Sequence, residues 1–238
     1  MLRFLLAFFF LLVQTSVFAE DLGIVSFVQG ENLVSGPRFP KKPELLKLGS
    51  VLKRGDTVIS KDGVCEIQLA TQATVRTEKF SEILLSEILE PKTNTSTLRI
   101  MSGKLFVQAH KQKDNSNQLK IITPSYVAGV RGTEFFVTTT SESEGDNTLA
   151  EGVFVNEGIV SVHSNGAPET SGSLVKSNEE IIVFGTDLKK QILNEFAKEK
   201  MKIFKDFKKI KEENYVRIKE QIEKNEQLME EIKGRLEE

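Results

Sequence analysis

Near the middle of the chain, two stretches with the features of extended backbone meet at a pair of closely spaced glycines. Pro124 fixes its own φ angle and restricts the residue before it to extended conformations. Gly129 and Gly132 permit backbone angles or close approaches that a Cβ atom would block, and Arg131 lies between them. After the second glycine, the residues alternate with the period of a strand. Residues 122–137 therefore predict a strand, a tight glycine corner that carries one arginine, and a second strand.

Similar alternation runs from residue 20 to about residue 183, interrupted by turn-forming clusters of Gly, Pro, Asn and Ser. We predict strands over residues 22–29, 31–35, 51–59, 64–70, 74–77, 81–89, 98–101, 104–110, 119–123, 148–156, 159–163 and 180–184. Residues 81–89 also fit a helix, but a strand is favoured because its neighbours are strands. Gly23, Gly103 and Gly158 each begin a Gly-x-apolar-x-apolar pattern. The predicted fold is mainly β, with twisted, rolled sheets or a sandwich.

Several of these segments resemble the FecR domain. Its most recognisable motif is a Thr-Pro pair, a short apolar run, Gly-Val-Arg-Gly-Thr, and then Phe and Val. The residues that match it are Thr123, Pro124, Gly129, Val130, Arg131, Gly132, Thr133, Phe135 and Val137. Further matches are the Gly-Asp pair within residues 52–59 and the strand start at residues 103–107, so the resemblance covers about residues 48–162. It implies a role in the cell envelope.

Two residues of this motif region each have two possible roles. Arg131 has five donors in a fixed fork, which suits binding of a carboxylate or phosphate. It also suits a structural role in pinning the glycine corner, which we favour. Tyr126 stands where the family usually has a small residue, and it is either a surface anchor for a partner or a residue that packs at the rim.

The first 19 residues have the composition of a secretory signal peptide. Arg3 supplies the positive charge, residues 4–13 are an unbroken apolar run, and the stretch ends at Ala19. The apolar run is short for a bilayer, which needs about 20 residues. We predict cleavage after Ala19 and a periplasmic location, with an uncleaved anchor helix as the alternative.

The character of the chain changes at residue 185. Thr186 or Asp187 can cap a helix, and from there to Glu238 about half of the residues are charged. Four side chains recur every eleven residues, a spacing of about 3.67 residues per turn that keeps one apolar stripe nearly straight. They are Phe196, Phe207, Ile218 and Met229. The predicted organisation is a signal peptide over 1–19, a β-domain over 20–185 and a long amphipathic helix, suited to a coiled coil, over 186–238.

This predicted helix is basic in its first half and acidic in its second half. Such a pattern is typical of a solvated helical face, and it also suits antiparallel pairing. Because the apolar stripe must be buried, we expect it to bind a protein partner or a second copy of the chain. No stable membrane span is expected once the signal peptide has been removed.

The composition gives little sign of catalysis. A net charge of −2 does not indicate the basic surface that nucleic-acid binding requires. The chain has only two histidines and one cysteine, few of the residues that commonly bind metal ions. Cys65 shares one face of an alternating run with apolar neighbours, which favours a buried small side chain. No phosphate-binding loop or nucleophile motif is present in the sequence. We expect a non-enzymatic protein without a cofactor or metal ion.

The main functional hypothesis is an exported FecR-domain protein that acts as an interaction or assembly module of the cell envelope. One alternative is an envelope signalling protein that regulates a sigma factor or iron uptake. The best-known family members do this through a cytoplasmic segment ahead of a membrane helix, whereas here the apolar run begins at Leu2. Another is a module that binds cell-wall glycan or peptide, which is disfavoured because the chain has no Trp and only two Tyr.

Overall fold

A computed structural model describes residues 21–70, 73–87, 95–109, 118–130, 132–139 and 149–204. Over these ranges the backbone is mostly in strands, which confirms the mainly β fold class. The strands are β1 Asp21–Gln29, β2 Asn32–Ser35, β3 Glu44–Leu45, β4 Val51–Lys53, β5 Thr57–Ser60, β6 Val64–Leu69, β7 Thr74–Thr77, β8 Ser81–Glu87, β9 Thr95–Ser102, β10 Lys104–Gln108, β11 Gln118–Ile122, β12 Tyr126–Val130, β13 Glu134–Thr138, β14 Gly152–Glu157, β15 Ile159–Ser164, β16 Ser173–Lys176, β17 Glu179–Phe184 and β18 Asp187–Ile192. A 3₁₀ helix, η1, spans Glu169–Ser171, and an α-helix, α1, spans Glu195–Met201.

The strands form two sheets of nine strands each. Sheet A has the order β18-β17-β14-β13-β10-β7-β6-β1-β4, and sheet B has the order β16-β15-β12-β11-β9-β8-β5-β2-β3. The chain moves back and forth between the sheets and advances from one end of both toward the other. Neighbouring strands pair antiparallel, except that β9 and β11 pair parallel. The two sheets enclose one apolar core, as expected for a rolled or stacked sheet.

Most crossings between the sheets use a residue with positive φ, a conformation that only glycine adopts easily. These residues are Gly30, Gly49, Gly55, Phe80, Gly103, Gly132, Gly158 and Asn178. Gly103 and Gly158, which begin two of the repeated patterns, both have φ +91° and lie at such crossings. Gly23, which begins the third, lies inside β1 instead. The repeated glycines therefore mark corners of the sandwich in two of the three cases.

Alternation along each strand sends one set of side chains into the space between the sheets. In β6, Cys65, Ile67 and Leu69 are buried, while Glu66 and Gln68 lie on the outer face. Cys65 is fully buried in the core, as its place in the alternating pattern predicts. Burial of each such apolar side chain stabilises the fold by about 1.5–3 kcal/mol.

The outer face of sheet A carries a second apolar cluster. Phe106, Phe136 and Phe154 occupy directly paired positions on β10, β13 and β14. The Phe136 and Phe154 rings stack with centroids 4.4 Å apart, and Phe106 lies 5.1 Å from Phe136. Leu193, Ala197, Met201 and Phe204 cover these rings from above. Helix α1 and the residues around it therefore belong to the folded β-domain.

Two sequence predictions about element boundaries are wrong. Residues 51–59 do not form one strand, because Gly55, with φ +84°, divides them between the two sheets. The helix does not start at Thr186 or Asp187, because residues 187–192 are strand β18, paired with β17. The boundary predicted after residue 185 thus falls inside a β-hairpin. The predicted long helix beyond residue 204 lies outside the described residues.

Candidate functional site

The Thr-Pro pair of the motif forms the turn between β11 and β12. The Thr123 hydroxyl accepts hydrogen bonds from the backbone N–H groups of Ser125 (3.2 Å) and Tyr126 (2.9 Å). It also donates to the Tyr126 carbonyl oxygen at 2.9 Å. Pro124 lies exposed in the turn, where its fixed φ angle suits the bend. The pair therefore has a structural role in closing this hairpin.

The predicted glycine corner is present between β12 and β13, where the chain crosses from sheet B to sheet A. Gly132 has φ +63°, in the left-handed region. Thr133, directly after it, is buried, and its carbonyl oxygen accepts a hydrogen bond from the N–H of Ala109 at 2.9 Å. Arg131 lies outside the described residues, so both predicted roles of its guanidinium remain predictions.

Substitution of Gly132 by valine is expected to destabilise the domain by more than about 1 kcal/mol, since a β-branched residue is strained at positive φ. Asparagine tolerates this conformation better, so Gly132→Asn serves as the matched control. Thermal unfolding of both variants beside the parent measures the effect. Equal melting temperatures for Gly132→Val and the parent would show that backbone conformation is not the reason for the glycine.

The Gly-Asp pair forms a second corner, between β4 and β5. Asp56 is fully buried, and its carboxylate forms a salt bridge with Arg38. The same carboxylate accepts a hydrogen bond from the backbone N–H of Lys53 at 2.8 Å. Arg38 also donates to the Val51 carbonyl oxygen at 3.1 Å. The aspartate thus holds the corner against the loop between β2 and β3.

Tyr126 is part of the core and not of the surface. Its side chain is fully buried, and its hydroxyl lies 2.8 Å from the Thr138 carbonyl oxygen and 2.7 Å from that of Gly152. The ring extends from β12 in sheet B to β13 and the start of β14 in sheet A. Burial raises the pKa of Tyr126 well above its usual value, so the phenol stays protonated as a donor. This corrects the interpretation of Tyr126 as a surface anchor or rim residue.

The buried acidic side chains have structural partners. Glu134 accepts hydrogen bonds from Gln108 and Asn156, both at 2.9 Å. Glu180, fully buried on the outer side of sheet A, accepts from Gln191 at 2.7 Å and from the Asn194 side chain at 3.0 Å. Such fully bonded carboxylates hold neighbouring elements in place, and they have no open position for a substrate.

Asn194 is the residue that joins this buried carboxylate to the helix. Its side-chain oxygen accepts a hydrogen bond from the N–H of Ala197 at 2.8 Å, as the N-cap of α1. Its amide nitrogen contacts Glu180 on β17 at the same time. The start of α1 is therefore fixed directly over the edge of the apolar cluster.

Cys65 lacks the surroundings of a reactive thiol. Its sulfur lies 3.3 Å from the Thr77 hydroxyl, and the residue has no exposed surface. Burial raises the pKa of the Cys65 thiol, which disfavours the thiolate that nucleophilic chemistry requires. Cys65 thus contributes to packing.

Of the four residues of the predicted apolar stripe, the described residues include only Phe196. Phe196 lies on α1 and is 48% exposed, with the Lys200 ammonium 5.4 Å from its ring centroid. Phe207, Ile218 and Met229 lie outside the described residues, and their predicted interaction role stays a prediction. Among the described residues, no helix has the length and apolar character needed to cross a membrane.

The outer face of sheet B differs from that of sheet A, because no described helix lies on it. Arg99 is exposed at the centre of this face, between Leu84 on β8 and Ile122 on β11. On β11 itself, Lys120 forms a salt bridge with Glu169 of η1 at 2.5 Å. That hydrogen bond lowers the pKa of Glu169. The face combines partly exposed apolar side chains with two cations.

The described part of the chain contains no group of three or more His, Cys, Asp or Glu side chains placed to bind a metal ion. The arrangement defines a two-sheet β-domain whose motif residues build corners, with one outer face covered by its own C-terminal segment.

Comparison with known proteins identifies the domain. Residues 56–161 match the model of the FecR protein family. They start at the aspartate of the Gly-Asp corner and end in β15, so this central part of the chain is a FecR domain. No curated protein matches the chain.

Two solved structures are similar to the chain in part. Both are crystal structures of a "putative anti-sigma factor" from Parabacteroides distasonis, and each is 18% identical to this chain with a TM-score of 0.46. The similarity covers 57% of this chain and 58% of theirs. The chain therefore spans less than two thirds of the length of these structures.

Sequence reasoning missed the covered outer face of sheet A. Its signal was present, because Phe106, Phe136 and Phe154 each lie one residue out of phase with the inward-facing positions of their strands. Apolar residues on both faces of a strand indicate that both faces are covered.

Proposed function

We propose that this protein is a non-catalytic, exported member of the cell envelope that binds another protein and thereby regulates a sigma factor. The match of residues 56–161 to the FecR family carries this proposal, because the best-known members of that family are such regulators. The matched segment includes the central strands of both sheets and the glycine corners that hold them. An exported domain reaches the transcription machinery only through a protein that crosses the membrane, so the proposed partner is an envelope protein.

The arrangement of buried groups supports a role that depends on surfaces. Tyr126, Glu134 and Glu180 are each hydrogen-bonded within the domain. Cys65 is buried as a thiol. These four groups thus serve to fix the fold, which favours partner binding as the use of the domain.

Deletion of the gene in its source bacterium tests the regulatory role. We expect transcript levels to change for a set of genes that share one promoter sequence, with the parental pattern restored by the full chain. Iron limitation is compared with iron-replete growth, since iron uptake is the signal of the best-known relatives. An unchanged transcript profile under both conditions would remove the regulatory proposal.

An assembly role through the C-terminal segment is a second candidate. The exposed Phe196 ring on α1 favours it, because this side chain points away from the apolar cluster that α1 covers. Light scattering of the mature chain at micromolar concentration distinguishes self-association from monomeric behaviour. If the chain is a monomer, self-association is ruled out and the partner of the C-terminal segment must be a different protein.

Export with cleavage after Ala19 is a prediction from the composition of residues 1–19. Intact-mass measurement of the protein from the envelope fraction is expected to give a product that begins at Glu20. A product that retains residues 1–19 would support the anchor-helix alternative instead.

A further inference from the structure

Gly129, in the middle of β12, is a motif glycine that the fold itself does not require. Its φ angle is outside the left-handed region, in contrast to Gly132 at +63°. Among the described residues, a Cβ atom at Gly129 would meet only the Ser161 carbonyl oxygen, at 3.9 Å, which is ordinary contact. At Gly152, by comparison, a Cβ atom would lie 2.1 Å from the Ile181 carbonyl oxygen. Glycine inside a strand weakens it, and no contact among the described residues accounts for a glycine at position 129.

Position 129 lies on the outer face of sheet B. Its neighbours Ala128 and Val130 are buried in the core, so the position between them faces outward. Gly129 is paired with Lys120 on one side and Ser161 on the other. The salt bridge between Lys120 and Glu169 is near, but none of its atoms lies within 4 Å of the Cβ position. The described residues therefore leave open space above the Gly129 backbone.

The surroundings of this space define what would bind there. Ile122 on β11 and Leu84 on β8 are partly exposed on the outer face, one on each side of Arg99. Val127, which is paired with Ile122, is itself buried. Arg99 forms no ion pair with any described residue, and its exposed guanidinium suits a carboxylate. The face thus offers apolar contact area, one available cation and a place where a backbone can approach closely.

We propose that the outer face of sheet B, centred on Gly129, is the surface that binds the envelope protein partner. This inference rests on the proposed function and adds the location of the contact. The partner presents a segment with apolar side chains and at least one acidic residue, whose backbone passes over Gly129 while its carboxylate pairs with Arg99. A second copy of the chain is disfavoured, because two-fold pairing of this face would bring Arg99 and Lys120 near their own copies.

Site-specific photo-crosslinking in cells tests the location with the full chain. The photoreactive amino acid p-benzoylphenylalanine replaces Thr97, which is paired with Lys120 on the same face. A control probe replaces Lys189, which is exposed on β18 of sheet A. The Thr97 probe is then combined with Gly129→Val or with Arg99→Glu. We expect one adduct of defined mass from the Thr97 probe, and a loss of about tenfold or more in each combined variant.

Thermal unfolding separates a lost contact from a lost fold. Gly129→Val is expected to melt at or above the temperature of the parent, because valine favours a strand and has room here. If this variant does not fold, the smaller Gly129→Ala change and Arg99→Glu decide the question.

The outcomes distinguish this inference from the proposed function. Undiminished adduct in folded Gly129→Val and Arg99→Glu variants would overturn the inference. So would an adduct from the Lys189 probe alone, although protein binding would then still stand. An adduct with twice the mass of the chain would identify a second copy and overturn the proposed partner. If neither probe gives an adduct, that result would argue against partner binding itself.

Discussion

Truncation of the chain after Thr186 is expected to destabilise the β-domain by about 5 kcal/mol or more. The truncation removes Leu193, Met201 and Phe204, each of which is almost completely buried over the outer face of sheet A. Burial of each such side chain contributes about 1.5–3 kcal/mol. Because a typical domain is stable by only about 5–15 kcal/mol, the loss would leave the truncated chain unfolded or nearly so.

The same truncation has two further consequences for sheet A. Removal of β18 leaves β17 as an unprotected edge strand, which favours aggregation. Removal of Asn194 and Gln191 leaves the buried Glu180 carboxylate without its described hydrogen-bond donors. The phenylalanine rings on β10, β13 and β14 would then face water as one apolar patch.

A chain that ends after Phe204 is the matched control, because it keeps all of the described contacts of α1. Urea and thermal unfolding of the two truncated forms, beside the mature chain, measure the difference. We expect the control to unfold cooperatively and the shorter form to lack a cooperative transition. Equal melting temperatures for the two truncated forms would mean that residues 187–204, with β18 and α1, contribute nothing to the stability of the domain.

Most strand positions in this protein could be predicted because many strands alternate between buried and exposed residues and end at a residue with turn chemistry. Gly103 and Gly158 are examples, since each is a visible glycine at a real crossing between the sheets. Phe80 and Asn178 adopt positive φ at equivalent crossings but give no glycine signal. The regular pattern of corners was therefore only partly readable from sequence.

The start of the helix could not be predicted because β18 resembles a charged helical segment in composition. As an edge strand, it buries little of its surface and carries Lys189 and Lys190, which help an edge resist unwanted pairing. Leu188 and Ile192 share one face of β18, but the charged Lys190 lies between them on that face, and only Leu188 packs against the core. Charge content outweighed that weaker signal. The helix begins only after Asn194 provides a cap.

The role of Tyr126 depends on contacts that are distant in sequence. Alternation with Ala128 and Val130 places it on the inner face of β12, which the sequence could have indicated. Its hydrogen-bond partners, the carbonyl groups of Thr138 and Gly152, lie on the opposite sheet. Pairing across the two sheets is not visible in a local pattern. The sequence therefore leaves Tyr126 as either a surface anchor or a residue that packs at the rim.

Replacement of Tyr126 is expected to be among the most damaging single changes in the domain. Tyr126→Ala removes a fully buried aromatic ring and leaves a cavity, a change that costs about 3–5 kcal/mol. Tyr126→Phe keeps the ring but removes the buried hydroxyl that contacts the carbonyl oxygens of Thr138 and Gly152, which costs about 1–3 kcal/mol. Urea unfolding at pH 7 measures both effects. Partner binding is expected to persist in the folded fraction of each variant, because the ring does not reach the surface.

The pH dependence of this difference distinguishes the hydroxyl contact from simple packing. Burial raises the pKa of Tyr126 well above its usual value, so the folded state favours the protonated phenol. Below about pH 10, the usual pKa of an unfolded tyrosine, the full contribution is present, and it is lost progressively as the pH rises above that value. The stability difference between the parent and Tyr126→Phe should therefore shrink above about pH 10. Loss of stability from the buried Cys65 thiol in alkali affects both proteins equally and cancels in the comparison. A difference that stays constant from pH 7 to about pH 11 would show that the hydroxyl does not supply the missing stability.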